Sequence, residues 1–315
     1  LPGRRPLAPL ARKPKQLDEE PTVFEPATSA TGQPVLQASG DRSGPVRPKD
    51  GTGAAADETA EEGILVDEVE LDQQVDPETL ARAREIASRL ALRRPARDAT
   101  ARRGAGELVS VHYAGNADDI DLDATLENLV EHPFPEDEDI VVRERIRTKR
   151  TVVLIVDVSG SMRGERIRTA AATVGALVPE LAGDDLAVIA FWSDAAVLLP
   201  LGRPLVPARL LDTLLRIPAR GLTNVGFPLE LAARQLARVP ARDARVLLLS
   251  DCVHNAGPDP RVAAGRLPRL DVLLDTSGEH DVPLARDLAR VGRGRVAEAR
   301  THRDVAAALT AIFGH

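Results

Sequence analysis

From Thr151 onward the chain alternates short, wholly apolar runs with longer amphipathic ones. The run TVVLIVD (151–157) is continuous and ends at a turn, the pattern of a strand buried on both faces. Behind it come a helical stretch GERIRTAAATVGALVPELA, a strand DLAVIAFW, a short strand AVLLPL and a helix PARLLDTLLRI. A glycine-containing loop, a helix GFPLELAARQLARV and a second buried strand RVLLLSD follow. The alternation closes with strand PRLDVLLD, helix VPLARDLARV, strand RVAEA and helix HRDVAAALTAIF. This order predicts an α/β fold: a doubly wound, mostly parallel, six-stranded sheet with helices on both faces, in one domain over 149–315.

The first half reads differently. Residues 1–50 hold nine of the 24 prolines, and no helical or strand period survives that density. Residues 51–76 continue in Gly, Ala and acids, with one brief apolar patch at Ile64, Leu65 and Val66. Residues 1–75 are therefore expected to be a disordered, Pro/Gly/acid-rich arm. Over 76–148 the pattern gives a helix plus a mixed, acidic connecting segment. Asp76 can cap the helix, Pro77 suits its first position, and Leu80, Ala83, Ile86, Ala87 and Leu90 share one apolar face. A second short helix is expected around Leu122–Val130, and IVVRERIRTKR (140–150) alternates like a strand or lead-in arm.

Composition sharpens this picture in three ways. Aromatic residues make up only 2%, so the core must be built from Ala, Val, Leu and Ile. Charge is split: residues 149–315 carry 22 basic and 18 acidic side chains, net +4, which leaves −11 of the overall −7 on residues 1–148. Neither half has the dense basic patch interleaved with aromatics that nucleic-acid binding needs. No apolar run approaches the ~18 residues that span a bilayer, and the basic opening LPGRRPLAPLARKPK has no apolar core for a secretory signal. A single cysteine, Cys252, excludes an internal disulfide, and the default compartment is the cytoplasm. The chain opens on Leu1 and its one methionine is Met162, as expected either of a start codon read literally or of a piece of a longer protein.

Chemistry is expected beyond the carboxyl ends of the strands, where doubly wound sheets bind ligands. TVVLIVD runs into DVSGSM, which places Asp157, Ser159 and Ser161 at i, i+2 and i+4. RVLLLSD ends at Asp251, and the loop GLTNVG presents Thr223 just before a helix. Two carboxylates and three hydroxyls are hard oxygen donors, which suit Mg²⁺ (or Mn²⁺), and the nitrogen and sulfur ligands of a zinc site are missing from the set. A cation held largely by neutral hydroxyls keeps positive charge and favours a carboxylate from another molecule.

The order DxSxS, downstream Thr and strand-terminal Asp resembles the metal-ion-dependent adhesion site of von Willebrand factor A domains, over residues 149–315. The resemblance implies that Ser159, Ser161 and Thr223 bind the metal directly or nearly so, and that Asp157 and Asp251 act largely through water. Cys252 departs from it, because the family usually has Gly after that aspartate. IDLDATLENLV, the basic RERIRTKR and the strand into DVSGSM resemble the intracellular branch of magnesium-chelatase D subunits and CoxE-like proteins. That likeness implies a partnership with a hexameric AAA+ ATPase of the MoxR or chelatase type. The ATPase-like module of the chelatase subunit is missing here, since no GxxxxGK[ST] loop occurs.

Other chemistries fit less well. Ser159 lacks the GxSxG frame of a hydrolase nucleophile, and GRGRV at 292–296 lacks the third glycine of a dinucleotide fingerprint. Cys252 and His254 flank the site as a conceivable second ligand pair, although loop residues without further Cys or His partners are the simpler reading. Phe191 reads as core and Trp192 as a residue able to line the rim. The sequence therefore points to a non-enzymatic adaptor that takes an Asp or Glu of a protein partner, an AAA+ ATPase, onto Mg²⁺. The alternative is an accessory D-like subunit of a magnesium or cobalt chelatase complex. A hydrolase that activates water on the metal lacks a positioned general base.

Overall fold

The computed structural model describes residues 9–10, 12–17, 20–29, 34–39, 68–71, 81, 83, 85, 107–113, 119–131, 139–146, 150–159, 169–170, 173–174, 185–218 and 222–313. The chain divides into two compact units, residues 92–150 and the remainder. In the smaller unit, strand β4 (Glu107–His112) pairs antiparallel with β5 (Val141–Ile146), and helix α1 (Leu122–Glu131) lies between them in sequence. Asp121 precedes α1 and accepts hydrogen bonds from Ser110 Oγ (2.5 Å) and Arg143 Nη2 (3.3 Å). These two partners, the serine first, hold its carboxyl down at about 2.

Among the described residues, the larger unit is built on one nine-stranded sheet. Its strands in chain order are β1 (Val23–Thr28), β2 (Pro34–Ala38), β3 (Glu68–Glu70), β6 (Thr151–Asp157), β7 (Asp185–Phe191), β8 (Ala195–Leu199), β9 (Ala244–Ser250), β10 (Leu270–Asp275) and β11 (Arg293–Ala299). Across the sheet they run β11-β10-β9-β6-β7-β8-β1-β2-β3. The β11-β10-β9-β6-β7 stretch is parallel, and β8 turns back antiparallel on β7. The six strands expected over 149–315 are present and mostly parallel, as the apolar runs required.

Helices α2 (Pro207–Arg216), α3 (Gly226–Gln235), α4 (Pro260–Ala264), α5 (Val282–Val291) and α6 (Val305–Phe313) flank the sheet. Prolines 207, 260 and 283 sit in the first helical turn, where a missing N–H costs nothing. Alternation along the central strand separates two cores. Val152, Leu154 and Val156 pack with Leu210 and Leu214 of α2 and with Leu309 and Ile312 of α6. Val153 and Ile155 pack with Leu229 and Ala232 of α3 and with Leu284 and Leu288 of α5. All seven residues of β6 are buried, and each Val, Leu or Ile so placed stabilises the fold by about 1.5–3 kcal/mol. Of the helical stretch expected over 164–182, residues 169–170 and 173–174 are described, and they are helical. For the helix expected from Asp76, residues 81, 83 and 85 are helical, and the others lie outside the described residues. No helix among the described residues is long and apolar enough to cross a membrane.

Within the arm expected to be disordered, three described segments are strands. β1 adds to the sheet parallel to β8, with Val23 opposite Ala195 and Phe24 opposite Ala196. β2 folds back on β1, and β3 pairs with β2. Phe24, Leu36 and Leu71 are buried in the core, and the Phe24 ring stacks on Trp192 with centroids 5.9 Å apart. Pro34 opens β2, a position that proline tolerates in a strand. These segments carry too few apolar residues to show a period, and they are ordered by docking on a sheet made elsewhere in the chain. The rest of 1–75 lies largely outside the described residues.

Candidate metal site

β6 has β7 on one side and β9 on the other, so the sheet reverses its winding between β6 and β9. Loops leaving the carboxyl ends of two such strands diverge and open a crevice. Asp157 is the last residue of β6, and Asp251 directly follows β9. Thr223 lies in the loop before α3. Asp157, Ser159, Thr223 and Asp251 are all buried polar residues, between 5% and 9% exposed. Ser161, the fifth expected donor, lies outside the described residues.

Each carboxylate is fixed by its own turn. Asp157 Oδ1 accepts the Ser159 N–H (3.0 Å) and the Ser159 hydroxyl (2.6 Å). Its Oδ2 accepts the Ser250 hydroxyl (2.6 Å), and Ser250 Oγ in turn accepts the Cys252 N–H (2.8 Å). Asp251 Oδ1 accepts the Val253 N–H at 2.9 Å. Within that turn Cys252 is left-handed, at φ 59°. Glycine adopts this conformation without cost, which explains why the cysteine is a departure at this position. Thr223 is held by its main chain: its N–H donates to Asn255 Oδ1 (2.7 Å), and its carbonyl accepts the N–H groups of Asn255 and Ala256 (3.2 Å each).

The electrostatics favour a cation. Burial, followed by the neighbouring Asp251 carboxylate, pushes the Asp157 carboxyl up to about 6 against the pull of its serine hydrogen bonds. A hydroxyl whose hydrogen is committed to a carboxylate keeps its lone pairs for another partner, as Ser159 does here. Two carboxylates in mutual repulsion, with Ser159 and Thr223 beside them, make a hard-oxygen set that fits a divalent ion such as Mg²⁺ or Mn²⁺. Among the described residues no group of three or more His, Cys, Asp or Glu side chains could hold a metal, so such a site must draw on hydroxyls.

Neighbouring side chains resolve into supports. The Cys252 thiol is pushed well up by burial and by the Asp251, Asp157 and Asp281 carboxylates, so it stays protonated and inert. His254 is buried and accepts the Val225 N–H on Nδ1 (3.3 Å), which assigns its proton to Nε2. Phe191 is in the core as expected. Trp192 is not a rim residue: its ring is buried against Phe24, and only its carbonyl serves the site, accepting the Asn224 N–H at 2.8 Å. Sequence reasoning missed Ser250 and Asn255. Ser250 was legible as a lone hydroxyl ending an apolar strand, whereas nothing in the local pattern marks Asn255.

The model of the family described as the von Willebrand factor type A domain matches residues 152–254. No curated protein matches the sequence. Several solved structures are similar. One is an aerotolerance-related membrane protein from Bacteroides fragilis NCTC 9343 with multiple mutations to serines, 19% identical over 52% of this chain and 96% of that one, TM-score 0.44. Another is a von Willebrand factor type A structure from Catenulispora acidiphila, 23% identical over 53% of this chain and 42% of that one, TM-score 0.43. A third is proximal thread matrix protein 1 from the mussel byssus with a zinc-occupied MIDAS motif, 16% identical over 52% of this chain and 47% of that one, TM-score 0.44. Residues 152–254, which carry Asp157, Ser159, Thr223 and Asp251, are thus similar to a von Willebrand factor type A domain.

Proposed function

We propose that this chain is a protein-binding adaptor whose site, formed by Asp157, Ser159, Ser161, Thr223 and Asp251, works with a bound Mg²⁺ or Mn²⁺ ion. The observation that carries the reading is the buried Asp157, lifted to about 6 beside Asp251 and hydrogen-bonded to neutral hydroxyls. When bound, the ion supplies an electrophilic position for a carboxylate of another molecule. Asp157 and Asp251 supply the charge that retains the ion. Ser159, Ser161 and Thr223 add donors without further negative charge, so the site still attracts an incoming Asp or Glu. On this reading the chain acts by binding rather than by hydrolysis.

The partner that fits is an AAA+ ATPase of the MoxR or chelatase type. Support comes from the likeness of IDLDATLENLV and RERIRTKR to the chelatase-D and CoxE-like branch. On this reading the chain works in the cytoplasm, in keeping with its one cysteine, and the pair remodels or metallates a client. The test is a pull-down with the full chain, run with Mg²⁺ and again with EDTA. The ATPase should be captured only with Mg²⁺, and equal recovery in both would place the contact away from the site.

A further inference from the structure

Thr223 is the described donor farthest in sequence from any strand end, and its position depends on the loop after β9. Three main-chain and side-chain bonds tie it to Asn255 and Ala256, and the Val225 N–H is bound to His254. Gly257 completes this clamp at φ 85°; a Cβ there would meet the Asn224 amide at 2.7–2.9 Å. Any side chain at 257 therefore displaces the residue next to Thr223.

The clamp is itself held by the N-terminal segment. The Lys15 N–H donates to the Asn255 carbonyl (2.8 Å), and the Lys15 carbonyl accepts the Gly257 N–H (3.0 Å), closing a parallel bridge between Lys15 and Ala256. Upstream, Leu10 packs against the core and the Arg12 guanidinium pairs with Glu279, in the loop after β10. Downstream, the Thr22 N–H donates to Asp194 Oδ1 (2.8 Å), and the Thr22 carbonyl accepts the Ala195 N–H (3.1 Å) as the chain enters β1. One segment is thus fastened to three loops at the carboxyl edge of the sheet: those after β10, after β9 and between β7 and β8. β6, which carries Asp157, lies between β9 and β7.

We propose that residues 12–17 and 20–22 form a strap that fixes Thr223 through Asn255, so that the N-terminal segment sets the affinity of the metal site. The inference rests on the reading of Thr223 as a metal ligand; the strap's mechanical role does not. Asn255 is a positioning residue: its side chain holds the Thr223 N–H and its main chain holds Lys15. The strap also carries the exposed Lys13 and Lys15, so an acidic partner segment has a basic handle by which to draw it off the loop. Release would free Asn255 to move and Thr223 with it.

The experiment uses the full chain and two variants, Lys15→Pro and Asn255→Ala. Lys15→Pro removes the N–H that donates to the Asn255 carbonyl and keeps the Lys15 carbonyl. Hydrogen exchange of the metal-free protein is read at the Thr223 and Val225 amides, with Leu154 and Ile155 as fold controls, and Mn²⁺ affinity is measured on the same samples. Asn255→Ala should speed Thr223 exchange by about tenfold, and Lys15→Pro by about fivefold, with the β6 amides unchanged. Mn²⁺ affinity should fall in the same order. Faster exchange in Asn255→Ala with wild-type exchange and affinity in Lys15→Pro would overturn the strap. If the wild type binds no Mn²⁺, the metal reading fails while the exchange of Lys15→Pro still decides whether the strap holds Thr223.

Discussion

Asp157 and Asp271 are buried carboxylates on strands of the same sheet, one at its carboxyl edge and the other at its amino edge. Asp271, fully buried near the start of β10, accepts bonds from Arg269 Nε (3.0 Å) and from the Arg295 N–H (2.8 Å), with Arg245 Nε at 3.4 Å. Arg245 is further placed by the Phe313 ring, 4.7 Å from its guanidinium carbon. Asp157, among the described residues, accepts bonds from Ser159 and Ser250 and faces Asp251. The chain supplies its own countercharge where a carboxylate serves the fold. At the other edge the described residues gather carboxylates and hydroxyls, and on the proposed reading a bound cation brings the balancing charge.

The largest effect that can break this contrast is at the structural carboxylate. Asp271→Ala strands two arginines near a buried position and should cost about 3–5 kcal/mol in urea unfolding, equally with and without Mg²⁺. A loss below 1 kcal/mol would mean that the arginines are solvated well enough to need no partner. Asp157→Asn should do the reverse. An Asp raised from 3.8 to about 6 on folding carries a penalty of about 3 kcal/mol when ionised, so the metal-free variant should gain up to that much at pH 8. It should also lose metal binding.

The same linkage sets a pH window. Between about 4 and 6 the folded state holds a proton on Asp157 that the unfolded chain has released, so metal-free stability falls as pH rises through this range. Asp121, held down at about 2, acts in the opposite sense: its contribution is present above about 4 and is lost as pH falls toward 2. Subtracting the Asp157→Asn profile from that of the wild type isolates the site, and a flat difference from pH 4 to 7 would contradict the raised carboxyl. The smallest effect is expected at Ser250→Ala. It removes one hydrogen bond to Asp157 and strands the Cys252 N–H, for about 1–2 kcal/mol by thermal melting, and Mn²⁺ affinity should change less than in Asp157→Asn.

Most of the larger unit was legible because its signals are local. Fully apolar strands such as TVVLIVD and helices opened by Pro207 and Pro283 announce themselves within a few residues, whereas the five-residue helix α4 was not expected from the pattern. The placement of Asp157 and Asp251 was legible for the same reason, because both stand at the ends of such strands. What stayed hidden is non-local. Phe24 and Leu36 are buried because β8 and Trp192 offer a surface, and the proline-rich segments around them carry no period that shows it. Asn255 matters only through Thr223, and Lys15 only through Asn255, contacts between residues far apart in the chain.

The account stands or falls on whether the carboxyl edge takes a divalent cation. Calorimetric titration of Mn²⁺ into the full chain should give one site at pH 7.5, and the Ser159→Ala/Ser161→Ala double variant should bind none while melting as a folded protein. Undiminished Mn²⁺ affinity in that variant, or no uptake by the wild type, would contradict it.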